Sequence, residues 1–136
     1  MTAHRIAIVL LATALTACGG GTERIATYQP APGINEVLRG AIEAAPGHEL
    51  VMGDLVTPPG GEIPRHYHHG EEFIYVIGGS ATVSRAGYAD VPLGPGDSIR
   101  IAPGIVHWGK AGSDGARVMT AWVKPLDQPL RVPAER

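Results

Sequence analysis

The chain has 136 residues, room for one domain, and a formal charge of −2, which excludes the large basic excess of a nucleic-acid binder. Its single cysteine, Cys18, excludes both an intrachain disulfide and a cysteine-ligated zinc cluster. With 19 glycines, 12 prolines and no repeat period, the composition points to short strands joined by many tight turns.

The first element in chain order is a targeting segment over residues 1–18. Arg5 precedes an apolar run over 6–15, and the small residues Thr16 and Ala17 lead to Cys18. This is the order of a secretory signal, and the run is about half the length that a membrane-spanning helix requires. His4 leaves with the signal. Leu15-Thr16-Ala17-Cys18 resembles the lipobox of bacterial lipoproteins. The resemblance implies cleavage before Cys18, lipidation of its sulfur and acylation of the new amino terminus. The protein is then tied to a membrane through a lipid anchor at Cys18, because several acyl chains hold where one holds only marginally. The alternatives are an ordinary signal with an incidental cysteine, or a buried N-terminal strand. Gly19, Gly20, Gly21 and Thr22 open a flexible tether over 19–33. No Asp follows Cys18, so in a Gram-negative host the lipoprotein sorting habit implies the outer membrane.

A folded domain is expected over 34–126 and a C-terminal tail over 127–136. In 34–42, Ile34, Val37, Leu38, Ala41 and Ile42 fit a helical spacing, while Gly40 and the nearby Pro46-Gly47 allow only a short element; helix and strand stand equal. Beyond Glu49 the pattern has period two. Strands are expected over 49–56, 72–77, 80–85, 88–93, 98–101 and 116–123, with Gly78-Gly79 joining two of them as a hairpin. Pro92 makes 88–93 an edge strand or a strand end. Pro125, Pro129 and Pro133 leave the tail as an extended arm or frayed end. Short strands with frequent turn signals indicate an all-β antiparallel sandwich or barrel.

Chemistry concentrates in residues 60–79. His66 and His68 are two apart, so on a strand they point to the same face. Glu72 opens the next strand after a break at His69-Gly70. If Glu72 faces inward, so do Ile74 and Val76, and two imidazoles converge with one carboxylate from adjacent strands. That ligand set suits Fe, Mn, Ni, Cu or Zn. His107, three residues past Gly104 in the Pro103-Gly104 turn, is a fourth candidate.

These two stretches resemble the two motifs of the cupin superfamily, and the resemblance covers about residues 48–123. Gly60, His66, His68, Glu72 and Gly79 occupy every defined place of the first motif, and Gly96, Gly104 and His107 match the second. Two places depart: Ala102 stands where proline is usual, though Pro103 follows, and Ala111 stands where asparagine is usual. The turn keeps its Pro and Gly, and the family's asparagine is not a metal ligand. The resemblance implies a cupin double-stranded β-helix, a jelly-roll-like antiparallel barrel with a short N-terminal extension. It also implies one divalent transition metal (Fe, Mn, Ni, Cu or Zn) held by His66, His68, Glu72 and His107 near the barrel mouth, with up to two octahedral positions open to water, substrate or dioxygen. The family commonly pairs sheets into homodimers.

Each residue has a plainer alternative. A lone histidine on a sheet is usually a surface or hydrogen-bonded residue, but four of the chain's histidines cluster at these motifs. His69 replaces His68 only if the strand is bulged, since period two turns it away from His66. Glu71 is a solvated residue or a partner for an imidazole N–H. His48 belongs to the surface. Tyr67, Phe73 and Tyr75 alternate with the inward set and belong on the outer face, where a dimer would use them. Trp108 either walls the pocket mouth or simply packs. Arg65 and Arg100 are anion ligands or solvated charges.

Two functions follow. One is a metal-dependent enzyme acting on a small molecule, an oxygenase or a related isomerase or decarboxylase. The other is a non-catalytic envelope module that binds a metal or small ligand. A closed apolar cavity beside the metal favours the enzyme; an accessible metal and a small cavity favour the module.

Overall fold

Period-two stretches become strands within residues 29–135, which are the residues described by a computed structural model of the chain. The signal segment, Cys18 and most of the tether lie outside the described residues. The strands are β1 (Gly33–Ala41), β2 (His48–Thr57), β3 (Glu62–Tyr67), β4 (Glu71–Arg85), β5 (Val91–Leu93), β6 (Ser98–Ile101), β7 (His107–Pro125) and β8 (Val132–Pro133). Among the described residues there is no helix.

The two long strands organise the barrel. The 116–125 half of β7 pairs with β2, which pairs with β1; on its other side it pairs with the 71–76 half of β4, which pairs with β6. The opening residues of β7 pair with β3, which pairs with β8, and on the other side with the 81–85 half of β4, beside β5. Two antiparallel sheets, β1-β2-β7-β4-β6 and β8-β3-β7-β4-β5, therefore share the same two bent strands. Between them Val76, Val83, Leu93, Ile101 and Val118 are buried, with Leu55, Ile74 and Ile99 packed against them. Each such side chain contributes about 1.5–3 kcal/mol on leaving water.

The all-β expectation holds, and four local expectations are corrected or refined. Gly78-Gly79 is not a hairpin turn: β4 runs through it, with register shifts at Val76/Gly78 and Gly79/Ala81. Gly79 has φ of 69°, and a Cβ there would collide with the Gly115 carbonyl where β7 bends alongside. Only glycine lets both strands turn this corner together. Of residues 34–42, all but Ile42 form strand, not helix, because β2 presents an edge of backbone groups that β1 satisfies; Ile34, Val37 and Leu38 stay exposed. β1 begins at Gly33, the last residue of the expected tether. Of 88–93 only Val91–Leu93 pairs, at a sheet edge that tolerates Pro92. The tail folds back as β8 on β3, so it is an arm that docks.

Candidate metal centre

The barrel brings four side chains to one place. His66 lies on β3, His68 one residue past its end, Glu72 second on β4 and His107 first on β7. His66 and His107 are register partners. The turn before His107 is pinned to the other motif, since Gly104 N–H donates to the His68 carbonyl at 2.8 Å. Between His68 and Glu72 the chain passes so close to β7 that a Cβ on Gly70 would meet the Val123 carbonyl and the Lys124 backbone. The outcome is a buried group: His66, His68, Glu72 and His107 are 6%, 4%, 6% and 3% exposed. Their ligating atoms lie within 4.8 Å of one another.

Backbone carbonyls set the imidazole tautomers. His66 Nδ1 is 2.7 Å from Pro64 O, His107 Nδ1 is 2.8 Å from Ile105 O, and His68 Nδ1 contacts Leu130 O. A carbonyl oxygen only accepts, so each Nδ1 carries a proton and Nε2 is the ring nitrogen that faces the cluster. Thr120 Oγ1 donates to Glu72 Oε1 at 2.8 Å, which aims Oε2 at the same point. Oε2 stands 3.0 Å from His107 Nε2 and 3.3 Å from His68 Nε2. Glu72 Oε2 and His107 Nε2 are buried without a hydrogen bond. A carboxylate oxygen this close to two ring nitrogens calls for a cation between them, either a proton on Nε2 or a metal ion. Three imidazole nitrogens and one carboxylate oxygen fit a divalent transition metal, and the orphaned pair is where it would bind. The Trp122 indole N–H also reaches His68 Nε2, at 3.2 Å, so that nitrogen has a second claimant.

Electrostatics agrees with the geometry. Burial, then the neighbouring His107, pushes the His66 imidazole down to about 4, and Arg131 adds to the shift. The ring is therefore neutral at pH 7 and free to act as a ligand. Burial alone would raise the Glu72 carboxyl, but His107 and His68 more than reverse this and hold it to about 2.

The four residues form part of the wall of a cavity of about 410 Å³ whose remaining lining is mostly apolar, including Leu55, Ile74, Val76, Leu93 and Val118. Trp108 does line the cavity, and the Arg65 guanidinium stacks over its ring at 4.0 Å. Arg100 is engaged with Glu71, so neither reaches the imidazoles. His69 is exposed and stacks edge-on with Tyr67 at 5.4 Å, apart from the cluster. Phe73 and Tyr75 are exposed on the outer face. His48 opens β2 and is half-buried. Gly60, Gly79, Gly96 and Gly104 all take positive φ, between 65° and 91°. Thr120, Trp122, Leu130 and Arg131 carry no local signal of a role at the site; alternation turns the first two inward, but their partners are 48 and 54 residues away.

The fold and cluster define a single small β-barrel whose interior carries a group able to hold a metal ion. The chain belongs to the cupin domain family, which matches residues 53–124. Similar solved structures include a protein with a double-stranded β-helix domain from Klebsiella pneumoniae subsp. pneumoniae, at 25% identity and a TM-score of 0.59, covering 83% of this chain and 98% of that one. The DMSP lyase DddQ from Ruegeria pomeroyi is 24% identical with a TM-score of 0.53, over 64% of this chain and 42% of that one. Oxalate decarboxylase from Bacillus subtilis is 22% identical with a TM-score of 0.55, over 65% and 24%. These last two share the fold alone, and this chain spans less than half the length of either. No curated protein matches the sequence significantly.

Proposed function

We propose that this chain is a metal-dependent enzyme of the bacterial cell envelope that transforms a small molecule, with oxygenation as its reaction class. One observation carries the reading: the buried His66, His68, Glu72 and His107 cluster lines a mostly apolar cavity of about 410 Å³ that is partly open to the outside. Sequestering an ion requires the cluster but no such cavity. The fold also houses a DMSP lyase and an oxalate decarboxylase, which supports small-molecule chemistry by analogy. A bound divalent metal would supply Lewis acidity and, if redox-active, electron exchange with dioxygen. The three imidazoles would hold it through Nε2, their rings kept in register by the Nδ1–H bonds to Pro64, Leu130 and Ile105. Glu72 offsets one positive charge, and the apolar walls exclude water from the bound molecule.

The test is metal content of the purified protein beside a His66→Ala/His107→Ala variant, followed by oxygen-uptake screening. One equivalent of Fe, Mn, Ni or Cu in the parent, none in the variant, and substrate-dependent oxygen consumption are expected. No metal in either protein after reconstitution refutes the site. A second reading, a non-catalytic ligand-binding module, draws on the acid–base content of the cavity. Among its described lining residues the one carboxylate besides Glu72 is Glu62, whose side chain is 71% exposed and 3.5 Å from Lys110. Stoichiometric binding without turnover would favour that module. Anchoring at Cys18 is part of the proposal and predicts that Cys18→Ala moves the protein from the membrane to the soluble fraction. A homodimer through the Phe73 and Tyr75 face is likewise proposed, and sedimentation velocity measures it.

A further inference from the structure

Among the described arginines, all but one are matched to a carboxylate or an aromatic face. Arg39 sits on Glu36 and Glu49, Arg100 on Glu71 and Arg117 on Asp54. Arg65 stacks on Trp108 and Arg85 on Tyr88. Arg131 alone among the described arginines has neither a carboxylate nor an aromatic face, yet it lines the cavity. Its Nη2 donates to Pro64 O at 3.0 Å, and His66 Nδ1 donates to the same oxygen at 2.7 Å. The guanidinium thus stands two hydrogen bonds from a ring of the cluster. The docked arm keeps it there: Val132 and Pro133 pair with Tyr67 and His66, and Ala134 N–H donates to Arg65 O at 3.1 Å. The other cation on the lining, Lys110, lies 3.5 Å from Glu62 at the exposed rim.

We propose that Arg131 anchors the carboxylate of the small molecule, so that the cavity takes an organic monoacid with an apolar body. This deepens the enzyme reading and rests on it for the identity of the site. A guanidinium with one nitrogen committed to a carbonyl still presents donors in the fork that matches a carboxylate, and in a half-buried setting such a bond is stronger than at an open surface. The rest of the acid lies against Ile74, Val76, Val83, Leu93 and Val118, none of which offers a polar partner. With Lys110 beside Glu62, Arg131 is the one cationic side chain on the described lining without a carboxylate, which favours a single carboxylate over a diacid or a phosphate, whose further charge would lack a side-chain partner.

The experiment is calorimetric titration of butanoate, hexanoate, octanoate and hexanamide into the full chain and its Arg131→Gln and Arg131→Lys variants, each with and without metal. Hexanoate should bind at least about tenfold more tightly than hexanamide, and each added methylene should tighten binding by about fourfold. Arg131→Gln should erase the acid-over-amide ratio while leaving hexanamide binding within about twofold; Arg131→Lys should keep part of it. Thermal melts establish that both variants fold. The proposal is overturned if Arg131→Gln keeps the ratio, if the parent does not prefer the acid, or if the ratio vanishes when metal is removed, since the metal then holds the anion. Metal content in the same samples reports on the metal centre separately. A parent that takes up no metal refutes that centre, while the ratio still decides the anchor.

Discussion

Replacing Thr120 by Val removes one hydroxyl and little else. Thr120 is 1% exposed, its Oγ1 donates to Glu72 Oε1 at 2.8 Å, and Val fills the same volume. Glu72 lies 6% exposed, so the lost donor leaves the carboxylate freer to turn. A hydrogen bond to a charged acceptor contributes about 1.5–3 kcal/mol, and for a domain of this size a loss near 2 kcal/mol lowers Tm by about 8–16 °C. Partners that orient a metal ligand typically govern about 10- to 100-fold in affinity. Differential scanning calorimetry of the metal-free protein and a chelator-competition titration of the loaded protein measure the two effects. Thr120→Ser is the control: it keeps the hydroxyl and should keep metal affinity while losing some packing. If Thr120→Val binds metal as tightly as the parent and melts at the same temperature, Thr120 does not orient Glu72 and the reasoning fails.

Acid should destabilise the metal-free protein in two overlapping windows. His66 takes a proton near its ordinary 6.5 when unfolded but only near 4 when folded, so the unfolded chain binds more protons and stability falls as pH drops from 6.5 toward 4. Glu72 is held to about 2 against an ordinary 4.5, so its contribution, present above pH 4.5, is lost as pH falls toward 2. Urea midpoints that do not move across this range would contradict the burial of His66 and the hold of His107 and His68 on Glu72. Gly70→Ala should cost about 1–3 kcal/mol, because the new Cβ meets the Val123 carbonyl and Lys124 backbone, and should weaken metal binding by shifting Glu72 against His68; urea denaturation and metal titration measure both. Truncation after Asp127 removes the Leu130 carbonyl from His68 Nδ1 and should weaken metal binding by about 10-fold or more while the barrel stays folded by circular dichroism. Retained affinity would show that the arm does not orient His68.

The strand pattern and the motif spacing were legible because both are local. Alternation turned Glu72, Ile74 and Val76 to one side and Phe73 and Tyr75 to the other, and the structure shows the same division. A glycine demanded by positive φ leaves its mark in sequence, as at Gly60, Gly96 and Gly104. Gly78-Gly79 shows where local reading ends. A glycine pair between two β-rich runs suits a hairpin and a strand corner equally, and β7 decides, since it bends beside β4 and pairs along both of its halves.

By itself, then, the sequence determined an antiparallel all-β domain and placed His66, His68, Glu72 and His107 at spacings able to meet, because side-chain direction and turn geometry are properties of a few adjacent residues. Tertiary structure alone decided what surrounds them. Thr120 reaches Glu72 across 48 residues, Trp122 reaches His68 across 54, and Leu130 reaches His68 across 62. It likewise docked the proline-rich arm, put Arg131 beside the carbonyl that His66 uses and made residues 34–41 strand. These contacts exist only once the two sheets close on each other, since each is made between groups that share a face or an edge of the finished barrel and no stretch of chain.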